Sequence, residues 1–199
     1  MYKKFFKRFI DILISVILFP FIIIIGIFVA FFIFLDDRGP IFYLAPRRGK
    51  NGRIFKMLKF RSMKVNAPDI RNSDNSTYNS PDDPRITKAG RFLRKTSIDE
   101  LPQLCNVLIG DMSLIGPRPI TINRPLEEYD TKRWERLEVR PGITGYSQAY
   151  YRNSITSEEK LEKDAWYAQN ISFALDLKII IQTIKSVIYR KDIYNKKNG

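Results

Sequence analysis

From Ile12 to Leu35 the chain carries no charged residue; Lys3, Lys4, Lys7 and Arg8 precede that run, and Arg38, Arg47, Arg48, Lys50 and Arg53 follow it. As a straight helix the run reaches roughly 36 Å at ~1.5 Å per residue, enough to cross a hydrocarbon core. The residues after it, Asp36-Asp37-Arg38-Gly39-Pro40, offer no small-residue cleavage site, so the segment reads as retained rather than as a signal peptide. Basic residues at both ends ask for both ends on the cytoplasmic side. Pro20 removes one backbone hydrogen bond and displaces the carbonyl of Val16, which bends a helix there; the Ser15 hydroxyl is a candidate partner for what the bend frees. A re-entrant hairpin in one leaflet and a single kinked span both fit the pattern.

Polar and apolar positions then change rhythm. Two apolar, aromatic runs, Ile41–Leu44 and Ile54–Phe60, flank Asn51-Gly52, which predicts a β-hairpin inside a basic region from Gly39 to Met63. Asn66 to Pro84 is dense in Asn, Asp, Ser and Pro and reads as a long loop. Helices are predicted from about Asp99 to Gly110, from Thr131 to Val139 and from Leu161 to Asn170. Phe173 to Tyr189 gathers Phe173, Leu177, Ile180, Ile181, Ile184, Val187 and Ile188 on one helical face, suited to a core or to a membrane interface. The basic tail with Lys191, Lys196 and Lys197 leans toward the membrane.

Composition narrows the chemistry. With 199 residues, 44% of them hydrophobic, one globular domain plus a membrane element is expected. There is no histidine and one cysteine, Cys105, so histidine triads, histidine metal sites and disulfides are excluded. Cys105 falls among Leu101, Leu104, Leu108 and Ile109 at helical spacing and reads as a core residue. The net charge of +13 calls for an acidic partner: nucleic acid, anionic lipid or a phosphorylated substrate.

Two adjacent carboxylates, Asp99 and Glu100, stand where a helix is predicted to begin. A helix N-terminus presents unpaired N–H groups and a positive dipole end, a seat for phosphate beside acids that could act on it. The same residues fit a capping box, Ser97-x-x-Glu100, with Asp99 an ordinary first-turn acid. Pro102, tolerated only in a first turn, sets the helix start between Asp99 and Pro102. Arg118, held between Pro117 and Pro119, has a planar fork suited to bidentate phosphate binding or to loop carbonyls. Both readings of the acid pair stay open on these residues alone.

Eight blocks in order decide between them: Lys59-Phe60-Arg61-Ser62-Met63, Asp83-Pro84-Arg85-Ile86-Thr87, Gly90-Arg91-Phe92-Leu93-Arg94, Thr96 to Gln103, Asn106-Val107-Leu108, Gly110-Asp111-Met112-Ser113, Gly116-Pro117-Arg118-Pro119 and Arg140 to Gly145. Together they resemble the bacterial sugar transferase family, small monotopic phosphoglycosyl transferases that load a polyprenol phosphate carrier. The resemblance implies an α/β, mostly α fold: a re-entrant helix-break-helix hairpin over residues 1–38, broken at Pro20, and a cytoplasmic-face catalytic domain over 39–199 with a small β-hairpin and amphipathic interfacial helices. It implies transfer of a sugar 1-phosphate from a UDP-sugar to undecaprenyl phosphate at the inner membrane, releasing UMP, as the first membrane step of glycan assembly.

Under that resemblance Asp99 is the nucleophile and a ligand of Mg²⁺, and Glu100 is its dyad partner. Lys59, Arg94, Arg118 and Arg152 match phosphate-binding positions, and Gln148, Pro117 and Gly142 the nucleotide-sugar pocket. Expected partners are the UDP-sugar, polyprenol phosphate, anionic membrane lipids and downstream glycosyltransferases, with no nucleic acid. Two departures stand out: Phe19 precedes Pro20 where the family usually has serine, and Tyr146-Ser147 replaces a common Trp-Ala. The competing reading is a membrane-tethered basic protein that binds nucleic acid or lipid without catalysis.

Overall fold

The computed structural model describes residues 1–70, 78, 80, 82–152 and 154–189. Parts of the expected Asn66–Pro84 loop (71–77, 79, 81), Asn153 in the stretch after Gln148, and the basic tail from Arg190 lie outside the described residues. The protein is mostly helical, with one small sheet and one strand pair.

Helix α1 (Lys7–Asp36) follows a short π-helical turn, Tyr2–Phe6, and is long and apolar enough to cross a membrane. Helical structure continues through Pro20, so the expected division into two helices at that residue is not seen. Ser15 also departs from expectation: it is fully buried and its hydroxyl has no hydrogen-bond partner. It faces the globular domain, where a small side chain allows close approach, and does not tend the backbone near Pro20.

Both ends of α1 grip one body. Near its start, Lys7 pairs with Asp176 at 2.6 Å, Arg8 donates to the carbonyls of Val107 and Leu108, and Asp11 accepts the Leu114 N–H at 3.1 Å. Near its end, Val29 and Ile33 pack with Phe60 and Leu93; Asp36 accepts the N–H of Ala89, and Asp37 pairs with Arg61 at 2.9 Å. Only Asp11, Ser15, Val29 and Ile33 of α1 are buried, leaving a broad apolar face for a non-aqueous surrounding.

The hairpin forms as read. Strands β1 (Phe42–Arg48) and β2 (Ile54–Phe60) pair antiparallel from Phe42↔Phe60 to Arg48↔Ile54. A five-residue loop, 49–53, joins them through a 3₁₀ turn, and Asn51 (φ 56°) and Gly52 (φ 76°) take its left-handed positions. Helices α2 (Lys88–Thr96) and α3 (Gln103–Ile109) follow, then β3 (Ser113–Ile115), β4 (Ile120–Thr121), α4 (Thr131–Leu137), β5 (Gly142–Thr144), α5 (Tyr146–Tyr150), α6 (Ser157–Gln169) and α7 (Phe173–Ile188). Strand β4 adds to the outer edge of β1, and β3 pairs in parallel with β5.

Helix α7 carries two faces. Asp176, Ile179 and Ser186 turn inward, whereas Phe173, Leu177, Ile181, Ile184 and Ile188 of the expected apolar face are exposed. In α3, Leu104 and Val107 are core, Cys105 is half-buried, and Ile109 is 75% exposed. Partial burial raises the Cys105 thiol pKa, which keeps it protonated and inert.

Candidate active site

The acid pair does not sit in the first turn of α3. Helix α2 closes at Ser97, left-handed at φ 59°, whose N–H bonds back to the carbonyls of Leu93 and Arg94. A 3₁₀ turn, Ile98–Glu100, then carries the acids, and α3 begins only at Gln103 after Pro102. The capping-box reading is therefore corrected: Ser97 ends the preceding helix, makes no side-chain cap, and Glu100 reaches instead for Lys59. A phosphate seat at the start of α3 lapses with it, since the acids stand outside that short helix.

What surrounds the acids is cationic. Lys59 Nζ on β2 lies 2.7 Å from Glu100 Oε1. Arg94, from the last turn of α2, donates through Nε to Ser62 Oγ at 3.0 Å. Lys59, Arg94 and Arg118 all act electrostatically on Asp99, and Lys59, Arg118 and Arg152 on Glu100. The four phosphate-binding candidates thus converge from β2, α2, the loop after β3 and the end of α5.

The two carboxyls differ. Asp99 is 8% exposed, and burial followed by its neighbour Glu100 pushes its pKa up to about 6, against the pull of Lys59, Arg94 and Arg118. Burial also acts on Glu100, but Lys59 and Arg118 outweigh it and hold its carboxyl below the ordinary value. The two neighbouring acids are thus pushed in opposite directions, a pattern that suits acid–base or nucleophilic work.

Arg118 is braced by residues the motif reading missed. Asp164, 1% exposed on α6, accepts the Arg118 backbone N–H at 3.2 Å and the Ser147 hydroxyl at 2.6 Å, and pairs with the Arg136 guanidinium at 3.0 Å. Arg136 in turn donates to the Arg118 carbonyl at 2.6 Å. The signal in the sequence is Asp164 on the stripe Leu161, Asp164, Ala165, Ala168, a carboxylate where a core residue belongs. A second missed element is Arg85, buried against Asp83 and donating to the carbonyls of Pro68, Ile70 and Tyr78, which ties down the described part of the long loop.

The three nucleotide-sugar candidates divide. Gln148 donates to the Ile143 carbonyl at 3.3 Å, while its Oε1 is buried without a hydrogen-bond partner among the described residues. Pro117 is buried and lines a small cavity together with Arg118, Arg136 and Pro141. Gly142 is not open to that space in the same way. It is buried where β5 meets Gly116, and a Cβ there would overlap the Gly116 nitrogen, so its part is to let β3 and β5 approach.

Among the described residues no cluster of three metal-ligating side chains exists. Asp99 beside Glu100 still suits Mg²⁺, an ion commonly held by one or two carboxylates with substrate phosphates and water completing its shell.

Fold and site together define a mostly helical protein with one helix long and apolar enough to cross a membrane and a pair of adjacent acids among cations. The chain belongs to the bacterial sugar transferase family, which it matches over residues 2–190. It is 43% identical to the uncharacterized sugar transferase EpsL of Bacillus subtilis, over 94% of this chain and 89% of that one. It is 45% identical to the galactosyl transferase CpsE of Streptococcus agalactiae, over 92% of this chain and 42% of that protein. It is 40% identical to the undecaprenyl-phosphate galactose phosphotransferase of Salmonella typhimurium, over 79% of this chain and 35% of that protein. The chain thus spans less than half the length of the last two.

Proposed function

We propose that the protein moves a sugar 1-phosphate from a UDP-sugar to undecaprenyl phosphate, giving undecaprenyl-diphosphate-sugar and UMP. The observation that carries this is Asp99, buried, raised toward neutral pH and acted on by Lys59, Arg94 and Arg118, with Arg152 acting on its neighbour Glu100. The names of the relatives point to the same reaction class.

In the proposed first step an oxygen of ionised Asp99 attacks the β-phosphorus of the UDP-sugar. The bond from that phosphorus to the bridging oxygen breaks, UMP departs with the electron pair, and the sugar phosphate stays on Asp99 as an acyl phosphate. In the second step a phosphate oxygen of the carrier lipid attacks the same phosphorus and frees the carboxylate. The cations stabilise charge that spreads over the transferring phosphoryl group, and Glu100, locked to Lys59, keeps that lysine aimed at the site. Mg²⁺ bound at Asp99 would offset diphosphate charge.

The proposed membrane mode is monotopic, with α1 dipping into one leaflet from the cytoplasmic face. Charged contacts at both of its ends to one domain support this, since a crossing helix separates its ends. The exposed apolar face of α7 would lie in the same interface.

The test supplies full-length protein in lipid nanodiscs with Mg²⁺, undecaprenyl phosphate and a panel of UDP-sugars, and measures UMP. Wild type should release UMP with at least one sugar, and Asp99→Asn should slow it by roughly 10³-fold or more, as loss of a nucleophile does. Equal rates for Asp99→Asn and wild type would refute the mechanism.

A further inference from the structure

At the turn of the hairpin, far from the acids, lies a second cleft of about 220 Å³. That is room for several waters, and so for a phosphate group. Lys50, Arg53 and Arg140 line it with Gly110 and Phe55, and its one acid is Asp111. Arg53 and Lys59 stand six residues apart on or beside β2, about 20 Å at ~3.3 Å per residue, so the cleft is separate from the dyad.

Three cations against one acid leave the cleft net positive. Among the described residues, no ion pair joins Lys50, Arg53 or Arg140 to a carboxylate. Arg140 spends its Nε on the Gly110 carbonyl at 2.8 Å and stands near enough to Arg8 for the two cations to repel. Like charges gathered around an open cleft favour an anion.

The cleft also sits at the level of the membrane helix. Gly110 forms part of its wall, and a Cβ on that residue would meet Arg8 at 3.5 Å, one turn before the uncharged run of α1. Next to Gly110, Ile109 is 75% exposed, as is most of Phe9 beside Arg8. Apolar residues turned outward at this end place the cations at headgroup depth.

We propose that this cleft binds the phosphate group of an anionic ligand, with Lys50, Arg53 and Arg140 as its donors. A headgroup of the leaflet that holds α1 and a soluble phosphate-bearing molecule share that chemistry. The proposal is independent of the transfer reaction, and its test contains no nucleotide sugar.

Full-length protein in a zwitterionic detergent is titrated calorimetrically with dihexanoyl phosphatidylglycerol and, separately, with inorganic phosphate. Only binding that is lost in Lys50→Gln/Arg53→Gln, two exposed turn positions, is assigned to the cleft. Loss of two cations should weaken it by roughly tenfold to thirtyfold. Asp111→Asn, which removes the one opposing charge, should tighten it several-fold, a change that misfolding does not mimic. Tighter binding of the lipid than of phosphate supports a headgroup, and equal binding of both supports a soluble ligand at the same site. Affinities for both probes that are unchanged in both variants, or the absence of saturable binding to wild type, would overturn the proposal.

Discussion

Asp99 must carry charge in a place where water scarcely reaches it. Raising its carboxyl from an ordinary 3.8 to about 6 costs the folded state on the order of 3 kcal/mol when it is ionised. Because the folded pKa is the higher one, this cost is absent below about pH 4, grows as pH rises toward 6 and is complete above it. Asp99→Asn should therefore be more stable than wild type by up to about 3 kcal/mol at pH 7.5 and no more stable at pH 4, as measured by denaturant unfolding at the two values. Stability gained at the site where activity is lost is the mark of a functional rather than a structural acid. Lys59 is the leading cation opposing the rise, so Lys59→Gln should move the acidic limb of kcat/KM from near pH 6 to higher pH, read from a pH–rate profile. A profile that keeps its limb would show that Lys59 does not act on Asp99.

At the level of elements, Asp176 on α7 is the knot between the first turns and the globular domain. It accepts hydrogen bonds from the Tyr2 hydroxyl at 2.7 Å, Lys7 Nζ at 2.6 Å and the Tyr167 hydroxyl at 2.6 Å. Burial and then this carboxylate keep the Tyr2 and Tyr167 phenols protonated well above their usual range. Asp176→Ala leaves the Lys7 ammonium enclosed without its partner and should destabilise by about 3–5 kcal/mol. Hydrogen exchange at residues 2–10 should quicken more than at β1 and β2, which do not touch the knot. Elements with local signals were legible in the sequence: the uncharged run and the Asn51-Gly52 turn. Others were hidden because their cause is distant in the chain. The β3–β5 pair joins segments some thirty residues apart, and Asp164 reads as a misplaced polar residue until Arg118, Arg136 and Ser147 close around it. The cap at Ser97 misled because S-x-x-E spacing is shared by a helix start and by this helix-end-then-turn arrangement.

For the whole molecule, attachment of both ends of α1 to one domain makes its orientation testable. Single cysteines at Lys3 and at Lys50, in a Cys105→Ser background, should both resist a membrane-impermeant thiol label in sealed spheroplasts and both react after lysis. Labelling of one end alone from outside would establish a crossing helix. The first turns are held mainly by polar contacts, and the far end also by the apolar packing of Val29 and Ile33 on Phe60 and Leu93.

That packing has a consequence for any attempt to obtain the globular part by itself. A cut after residue 38 strips Phe60 and Leu93 of their cover, takes Asp36 from the start of α2, and leaves the buried guanidinium of Arg61 without Asp37. Lys59 and Arg94, the immediate neighbours of those exposed residues, are the ones that face Asp99. The apolar helix thus backs the residues that flank the acid pair, and removing it to gain solubility would loosen β2 and α2 from behind.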